Sequence, residues 1–244
     1  AFRAPGINNL YRSYYSTSFI SIATARLAQA TLSGREAGID LELPQLTLGA
    51  TAFQYDTRGL IATYKIQDAA SAPPEVTAVC GPTLSNCPAT VTFNTNGQDA
   101  VSRGIELSGS WRPVRAITLN AGYAYTASHY TATTTGDPIG AQLGGIPTSV
   151  VTLGTTLRPA SRWRLYPGGR YSGAQFLDVN HTIEQPAFAL VNVSVAFDVT
   201  PWLEAYGSVV NLTDVVYSDN ATTSAASQTL GMPRTVTLGL RMGY

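Results

Sequence analysis

The chain of 244 residues carries no formal net charge, with 15 Lys and Arg against 15 Asp and Glu. Charged residues make up only 12%, about half the share usual in a soluble globular domain, while hydrophobic residues reach 44%. That balance excludes a disordered tail and a nucleic-acid binder with a broad cationic surface, and no apolar run approaches the ~20 residues of a membrane-crossing helix.

The chain opens Ala1-Phe2-Arg3 with neither Met nor signal peptide, as expected of a mature chain or a fragment. Period-2 alternation then dominates. Glu36–Leu43 sets Ala37, Ile39, Leu41 and Leu43 against Glu36, Gly38, Asp40 and Glu42. Leu46–Tyr55 follows the Pro44-Gln45 turn, and Gly59–Ile66 reads as the next strand. Cys80 and Cys87 share a turn-rich loop containing Gly81, Pro82 and Asn86. With no other Cys and few His, this pair reads as a local disulfide rather than a metal site, which places the chain in an oxidising compartment.

Ser102–Trp111 and Ala116–Ser128 continue the pattern, followed by Ser149–Leu157, Arg162–Tyr171, Ala187–Phe197 and Trp202–Asn211. Thr235–Tyr244 is the clearest case. Val236, Leu238, Leu240, Met242 and Tyr244 alternate with Thr237, Gly239, Arg241 and Gly243. The predicted total is about ten strands. Glu36, Asp40, Glu42, Glu106, Arg162, Arg164, Arg170, Glu204 and Arg241 all fall on the polar phase.

Alternation alone does not separate a soluble sandwich from a membrane barrel, but the connections do. Short turns at Pro44-Gln45, Arg112–Arg115, Arg158–Ser161 and Asp198–Pro201 alternate with long loops at Gln67–Ala100, Thr131–Pro147, Ala174–Pro186 and Leu212–Pro233. All short turns therefore lie at one end and all long loops at the other, the layout of an outer-membrane barrel. Trp111, Trp163 and Trp202 flank the short turns, while Tyr55, Tyr130, Tyr171 and Tyr217 approach the long loops, as two interfacial aromatic rings require. The fold class expected is all-β, an antiparallel transmembrane β-barrel.

Five segments in order carry a family resemblance. Phe2-Arg3-Ala4-Pro5 with Asn9-Leu10-Tyr11 resembles the "FRAP…EL(Y/F)" segment of TonB-dependent outer-membrane receptors. Arg103-Gly104-Ile105-Glu106 resembles their "RGxE" strand, and Gly145-Ile146-Pro147 precedes a strand as in their "P-x-x" segment. Asn211-Leu212-Thr213-Asp214 with Tyr217 is similar to "NLFD…Y", and Gly231-Met232-Pro233-Arg234 to "G-x-PR". Thr213 stands where the family has an aromatic, and Asn8-Asn9 where it has an acid.

The resemblance implies a barrel of about twenty-two strands filled by an N-terminal plug. Residues 1–244 then form the C-terminal portion of that barrel, with the plug and its TonB-contacting segment absent. The function implied is energised import of a scarce ligand (a metal chelate or siderophore, a cobalamin-like cofactor or a glycan) into the periplasm. Long outer loops capture the ligand, and the TonB complex, acting through the plug, supplies the energy that a tight site needs for release. The other partners implied are outer-membrane lipid and lipopolysaccharide and the barrel-assembly machinery, for which the terminal Tyr244 would be the signal. No cofactor is implied. The alternative is a small self-contained barrel of about ten strands, a passive pore or structural protein, with a bore largely filled by side chains.

Candidate ligand contacts are the polar-phase and loop residues at the outer mouth: His129, Tyr130, Arg170, Asp178 and His181. The plainer reading is that they are wall charges pairing with one another or with the plug. Catalysis is not expected, because His129 and His181 are the only histidines and no Ser or second acid is tied by spacing to Asp178 and His181. Two histidines without a cluster also fall short of a metal site. Arg162 and Arg164 are expected to balance Glu36, Asp40, Glu42 and Glu106 within the lumen.

Overall fold

The computed structural model describes residues 1–134, 138–178, 181–218 and 228–243. In chain order the elements are β1 (Phe2–Arg3), α1 (Ile7–Tyr11), β2 (Tyr14–Tyr15), β3 (Phe19–Ile22), β4 (Ala30–Leu43) and β5 (Leu46–Lys65). A 3-10 turn at Ala69–Ser71, α2 (Pro74–Cys80), β6 (Thr90–Val114) and β7 (Ile117–Thr133) come next. β8 (Ser149–Ala160), β9 (Trp163–Ser172), β10 (Gln175–Phe176), β11 (Glu184–Gln185), β12 (Phe188–Thr200), β13 (Leu203–Val210) and β14 (Thr235–Met242) complete the chain.

The main sheet has the order β1-β4-β5-β6-β7-β8-β9-β12-β13-β14. Its long strands are consecutive neighbours, as short hairpins and returning loops dictate. β10 and β11 pair apart, and β3 runs parallel to β6 from Phe19↔Thr90 to Ile22↔Phe93. β4 and β14 do not pair with each other among the described residues, so the order is open. No described helix is long and apolar enough to cross a membrane. The strands β4–β9 and β12–β14, by contrast, each reach or approach the ~9–11 residues a tilted crossing needs.

Leu46–Tyr55 and Gly59–Ile66, expected as two strands, run on as one in β5. The reason lies at Gly59, whose φ of +66° is a backbone state open to glycine. Its N–H donates to Asp99 Oδ1 at 2.8 Å, and its carbonyl accepts from Asn96 Nδ2 at 2.7 Å. Side chains of β6 thus absorb an irregularity that would otherwise reverse the chain. With β5 continuous, short turns and long connections alternate without exception from β4 to β14 among the main-sheet strands.

Two compact units divide the chain. One contains residues 1–35, 55–102 and 129–141; the other contains 36–54, 103–128 and 142–244. The first has a water-type core of Ile20, Ile22, Ile66, Val76, Cys80 and Val91, with Tyr64, Leu84 and Phe93 packed against it. Phe93 meets Tyr64 edge-on at 5.6 Å. α2 contributes Val76 and Cys80 to this core, and the Cys80–Cys87 disulfide closes the loop that follows it. The Arg26 guanidinium holds α2 from outside through Glu75 Oε1 at 2.5 Å. That hydrogen bond, more than the charge alone, lowers the Glu75 carboxyl below its usual range.

The second unit has no comparable core. Of its described hydrophobic residues only Leu177 and Ala196 are buried. Ile39, Leu107, Leu153, Val236, Leu240 and Met242 are 45–74% exposed, and Leu238 reaches 80%. The facing phase carries Asp40, Thr51, Glu106, Ser108 and Thr152, which contribute to the lining of a recess of about 270 Å³. A sheet that offers water a continuous apolar face is not stable as a soluble monomer. One that offers it to hydrocarbon and turns its polar phase inward is.

Two outcomes are expected. Leu238→Arg lowers folding stability in phospholipid bilayers by ~2–4 kcal/mol, whereas Ser208→Arg on the opposite phase leaves it nearly unchanged, as urea titrations of the reconstituted protein will show. The Glu75–Arg26 tie is intact at neutral pH, because a lowered carboxyl stabilises above its unfolded value. It is lost as pH falls through the folded value, so amide protection of α2 should exceed that of Glu75→Gln near pH 6 and converge with it near pH 3.

Candidate functional site

The outer connections are built by hydrogen bonds among themselves. In the β9–β12 connection, Asp178 is 8% exposed. Its carboxylate accepts from the Thr182 N–H at 2.9 Å, the Thr182 hydroxyl at 2.8 Å and the Ile183 N–H at 2.7 Å. A buried carboxylate must be satisfied this way, and here the partners are its own turn. His181 sits at φ +58° with its ring stacked on Phe176, centroids 4.2 Å apart and planes 7° off parallel. His181 Nε2 lies 2.9 Å from the Gln142 carbonyl oxygen, in the β7–β8 connection. The Gly145 N–H donates to the Phe176 carbonyl at 2.7 Å, and Gln142 Nε2 donates to the Ile146 carbonyl at the same distance. The two connections are therefore sewn together around Phe176, His181 and Gln142.

The five residues expected at the mouth separate accordingly. Asp178 and His181 come together in one loop, where the His181 N–H donates to the Asp178 carbonyl at 3.3 Å. Arg170 stands exposed on β9, in register with Thr152 and Leu190. His129 and Tyr130 belong to the other compact unit. His129 is half-buried there, while Tyr130 is 7% exposed and its backbone bonds to Gly140 and Ala141. Tyr244 lies outside the described residues. Gln142, Phe176 and Thr182 were not singled out by sequence; a polar or aromatic residue in a loop carries no signal of its partner.

Arg164 is not balanced by the acids of β4 and β6. It grips both carboxylate oxygens of Asp198, at 2.7 and 2.6 Å, and also bonds Glu204. Glu204 in turn meets Arg241 at 3.2 Å, and the Arg241 guanidinium lies over the Tyr206 ring, 5.8 Å from its centroid. The register explains the choice: Ala196 opposes both Arg164 and Tyr206, and Glu204 opposes both Asp198 and Arg241. Arg164, Asp198, Glu204 and Arg241 are thus neutralised by their immediate neighbours across β9, β12, β13 and β14.

The remaining motif residues converge on the β13–β14 connection. Asn211, 1% exposed at φ +51°, donates through Nδ2 to the carbonyls of Val215 at 2.9 Å and Met232 at 3.1 Å. Its Oδ1 accepts from the Val215 N–H, and its own N–H donates to Asn192 Oδ1, each at 2.9 Å. Asp214 Oδ1 accepts from the Arg234 N–H at 2.8 Å. Tyr217 stacks on Phe188 at 4.7 Å and covers Gly231, where a Cβ would fall 2.0 Å from its ring. Asn211, Asp214, Tyr217, Gly231 and Arg234 form one knot. At Gly104, likewise, a Cβ would fall 2.2 Å from the Tyr125 carbonyl oxygen and 2.5 Å from the Phe53 ring.

Residues 1–212 match the family profile described as TonB dependent receptor-like, beta-barrel. The chain belongs to this TonB-dependent receptor family. A search of curated proteins returns no match. Among solved structures, this receptor chain is similar to the ferric yersiniabactin uptake receptor FyuA of Yersinia pestis, with 17% identity and a TM-score of 0.68 over 88% of this chain and 30% of that one. The copper transporter OprC aligns with all of it at 16% identity and a TM-score of 0.71, over 37% of its own length. The ferripyoverdine receptor of the Pseudomonas aeruginosa outer membrane aligns with 88% of it at 16% identity and a TM-score of 0.66, over 27% of its own length. The chain thus spans about a third of these receptors, and at such identities the likeness is one of fold. Family members are transport receptors of the outer membrane.

The knot predicts a sharp asymmetry in this receptor. Asn211→Ala strands the Val215 and Met232 carbonyls and the Val215 N–H, and should cost ~2–4 kcal/mol; Asn211→Asp, which cannot donate, should recover little of it. The midpoint of heat-induced mobility shift on gels measures both, with Thr213→Ala as the near-neutral control.

Proposed function

We propose that these residues form the C-terminal portion of the barrel wall and outer mouth of a TonB-dependent outer-membrane receptor that imports a scarce ligand into the periplasm. The observation that carries the reading is the division of the second unit's sheet into an exposed apolar phase and a polar phase with locally paired charges, in a chain of this family. The open order from β4 to β14 supports further strands from the same polypeptide, to about twenty-two, rather than a self-contained ten-stranded pore. A plug elsewhere in that polypeptide would engage TonB. The barrel-assembly machinery, lipid and lipopolysaccharide are the remaining partners.

The ligand class follows from the relatives' names only as far as a metal chelate, with FyuA and the ferripyoverdine receptor handling ferric siderophores and OprC copper; a cobalamin-like cofactor and a glycan stay within the reading. We assign direct ligand contact to Arg170 in the second unit and, separately, to His129 in the first. Tyr130, Asp178 and His181 hold the backbone from which such contacts are made.

The test is uptake by cells carrying the full polypeptide, offered a panel of ferric siderophores, copper, cobalamin and oligosaccharides. One class should accumulate, deletion of TonB should abolish its uptake, and Arg170→Ala should weaken its binding about tenfold. Conductance of small solutes that persists without TonB would sink the receptor reading and favour a passive barrel.

A further inference from the structure

The long-loop end of the second unit depends on a small ladder that the main sheet does not carry. Gln175 and Phe176 of β10 pair with Gln185 and Glu184 of β11, apart from the main sheet. So short a ladder cannot hold itself in water, where even a longer isolated hairpin is marginal. Buried Leu177 extends it by one bond, its N–H donating to the Ile183 carbonyl at 2.8 Å. The rest of its order has to come from outside, and it comes from two sides.

On one side lie residues 142–146 of the β7–β8 connection. The Phe176 carbonyl accepts from the Gly145 N–H, and the His181 ring stacked on Phe176 reaches the Gln142 carbonyl. Gly144 sits so close that a Cβ there would fall 3.2 Å from the Leu177 carbonyl oxygen. On the other side lies the β13–β14 connection. The buried Gln185 side chain accepts through Oε1 from the N–H of Ser218, also buried, at 2.7 Å. Ser218 bridges to Leu230, and the Gly231 N–H donates to the Tyr217 carbonyl at 2.9 Å, so both ends of that connection meet where Gln185 holds it. Among the described residues, the Gln185 side chain hydrogen-bonds only Ser218 outside its own connection, and the His181 ring only Gln142. The ladder therefore joins two connections through two different side chains. A buried N–H gives up its acceptor only at a cost, so Ser218 cannot move off while Gln185 stays in place. The ladder, too small to stand alone, loses its order when either flank leaves.

We propose that residues 142–146, the β10–β11 ladder with His181, and residues 217–218 with 230–231 open and close as one cooperative unit, the ladder being its link. The strands below are not part of it, because the β9–β12 register runs unbroken up to Phe188↔Ser172 and needs no help from the ladder. Any molecule that holds one of these connections closed then raises the closed population of the other two, since all draw on a single local opening equilibrium. The coupling requires the folded sheet and does not rest on ligand import.

Amide hydrogen exchange on the full polypeptide in detergent micelles, read by mass spectrometry at low urea, tests the coupling. In the wild type, the segments around Gly145, Leu177 and Ser218 should share one opening constant and one urea dependence, and should open more readily than β12. Gln185→Ala removes the Ser218 acceptor; it should speed exchange about tenfold around Ser218 and by a similar factor around Gly145, which Gln185 does not bond. His181→Phe keeps a ring on Phe176 but loses the bond to Gln142, and should speed exchange around Ser218 as well as around Gly145. Exchange in β12 should stay unchanged in both variants. Acceleration confined to the connection that each variant touches overturns the proposal. Three different opening constants in the wild type overturn it as well, a comparison that stands even where a variant fails to fold. Acceleration that extends equally into β12 also overturns it, since the whole sheet and not a local unit would then be opening.

Discussion

A peptide group inside hydrocarbon has no water to bond to, and the cost of leaving one unpaired is several kcal/mol. That constraint organises the second unit. From Phe188↔Ser172 to Phe197↔Trp163, and from Leu203↔Met242 to Val210↔Thr235, the register advances one residue at a time without interruption. The irregularities fall at Asp198/Thr200 and Leu157/Ala160, beside short turns where solvent and headgroups can satisfy a displaced amide. Once the ladder is uninterrupted, parity alone decides which side chains meet lipid. Leu238 and Arg241 differ in environment only because three residues separate them.

A polar phase that carries charges raises a second problem, since they need partners nearby. Arg164 meets it with two acids contributed by the next two strands, and Arg241 shares one of them. The arrangement is electrically closed within β9, β12, β13 and β14. At the other end of the strands the problem is solved with neutral groups. Asn211 uses its amide to hold carbonyls at both ends of a long connection, and Asp178 spends its charge on the turn that follows it. A carboxylate so engaged is a builder of the loop before it is anything else.

Much of this architecture was legible from alternation and connection length, because both are properties of short stretches. Strand parity places Ile39, Leu107 and Leu238 correctly with no knowledge of neighbours. Gly59 shows where local reading fails. A glycine amid Asp56, Thr57 and Arg58 reads as a boundary, yet Asn96 and Asp99, some forty residues on, turn it into a kink within one strand. The partners of Arg164 were hidden for the same reason, lying 34 and 40 residues away. The motif residues Asn211, Tyr217 and Gly231 were visible as a pattern, but not as a knot, since their meaning is the contact among them. Of the mouth residues, sequence placed Asp178 and His181 in one loop and could not reveal that Phe176 and Gln142 hold the imidazole.

The small core around Val76 gives the chain a second thermodynamic character. Ile20, Ile22, Ile66 and Val91 are buried from water by one another, so their contribution carries the heat-capacity signature of apolar hydration and weakens on cooling. The second unit's apolar phase leaves no water behind when it exchanges one hydrocarbon neighbour for another, and its cohesion comes from backbone pairing and dispersion. One polypeptide therefore answers to two solvents. Its calorimetric trace should not be read as a single transition, and a bilayer that stabilises the ladder does nothing for the core.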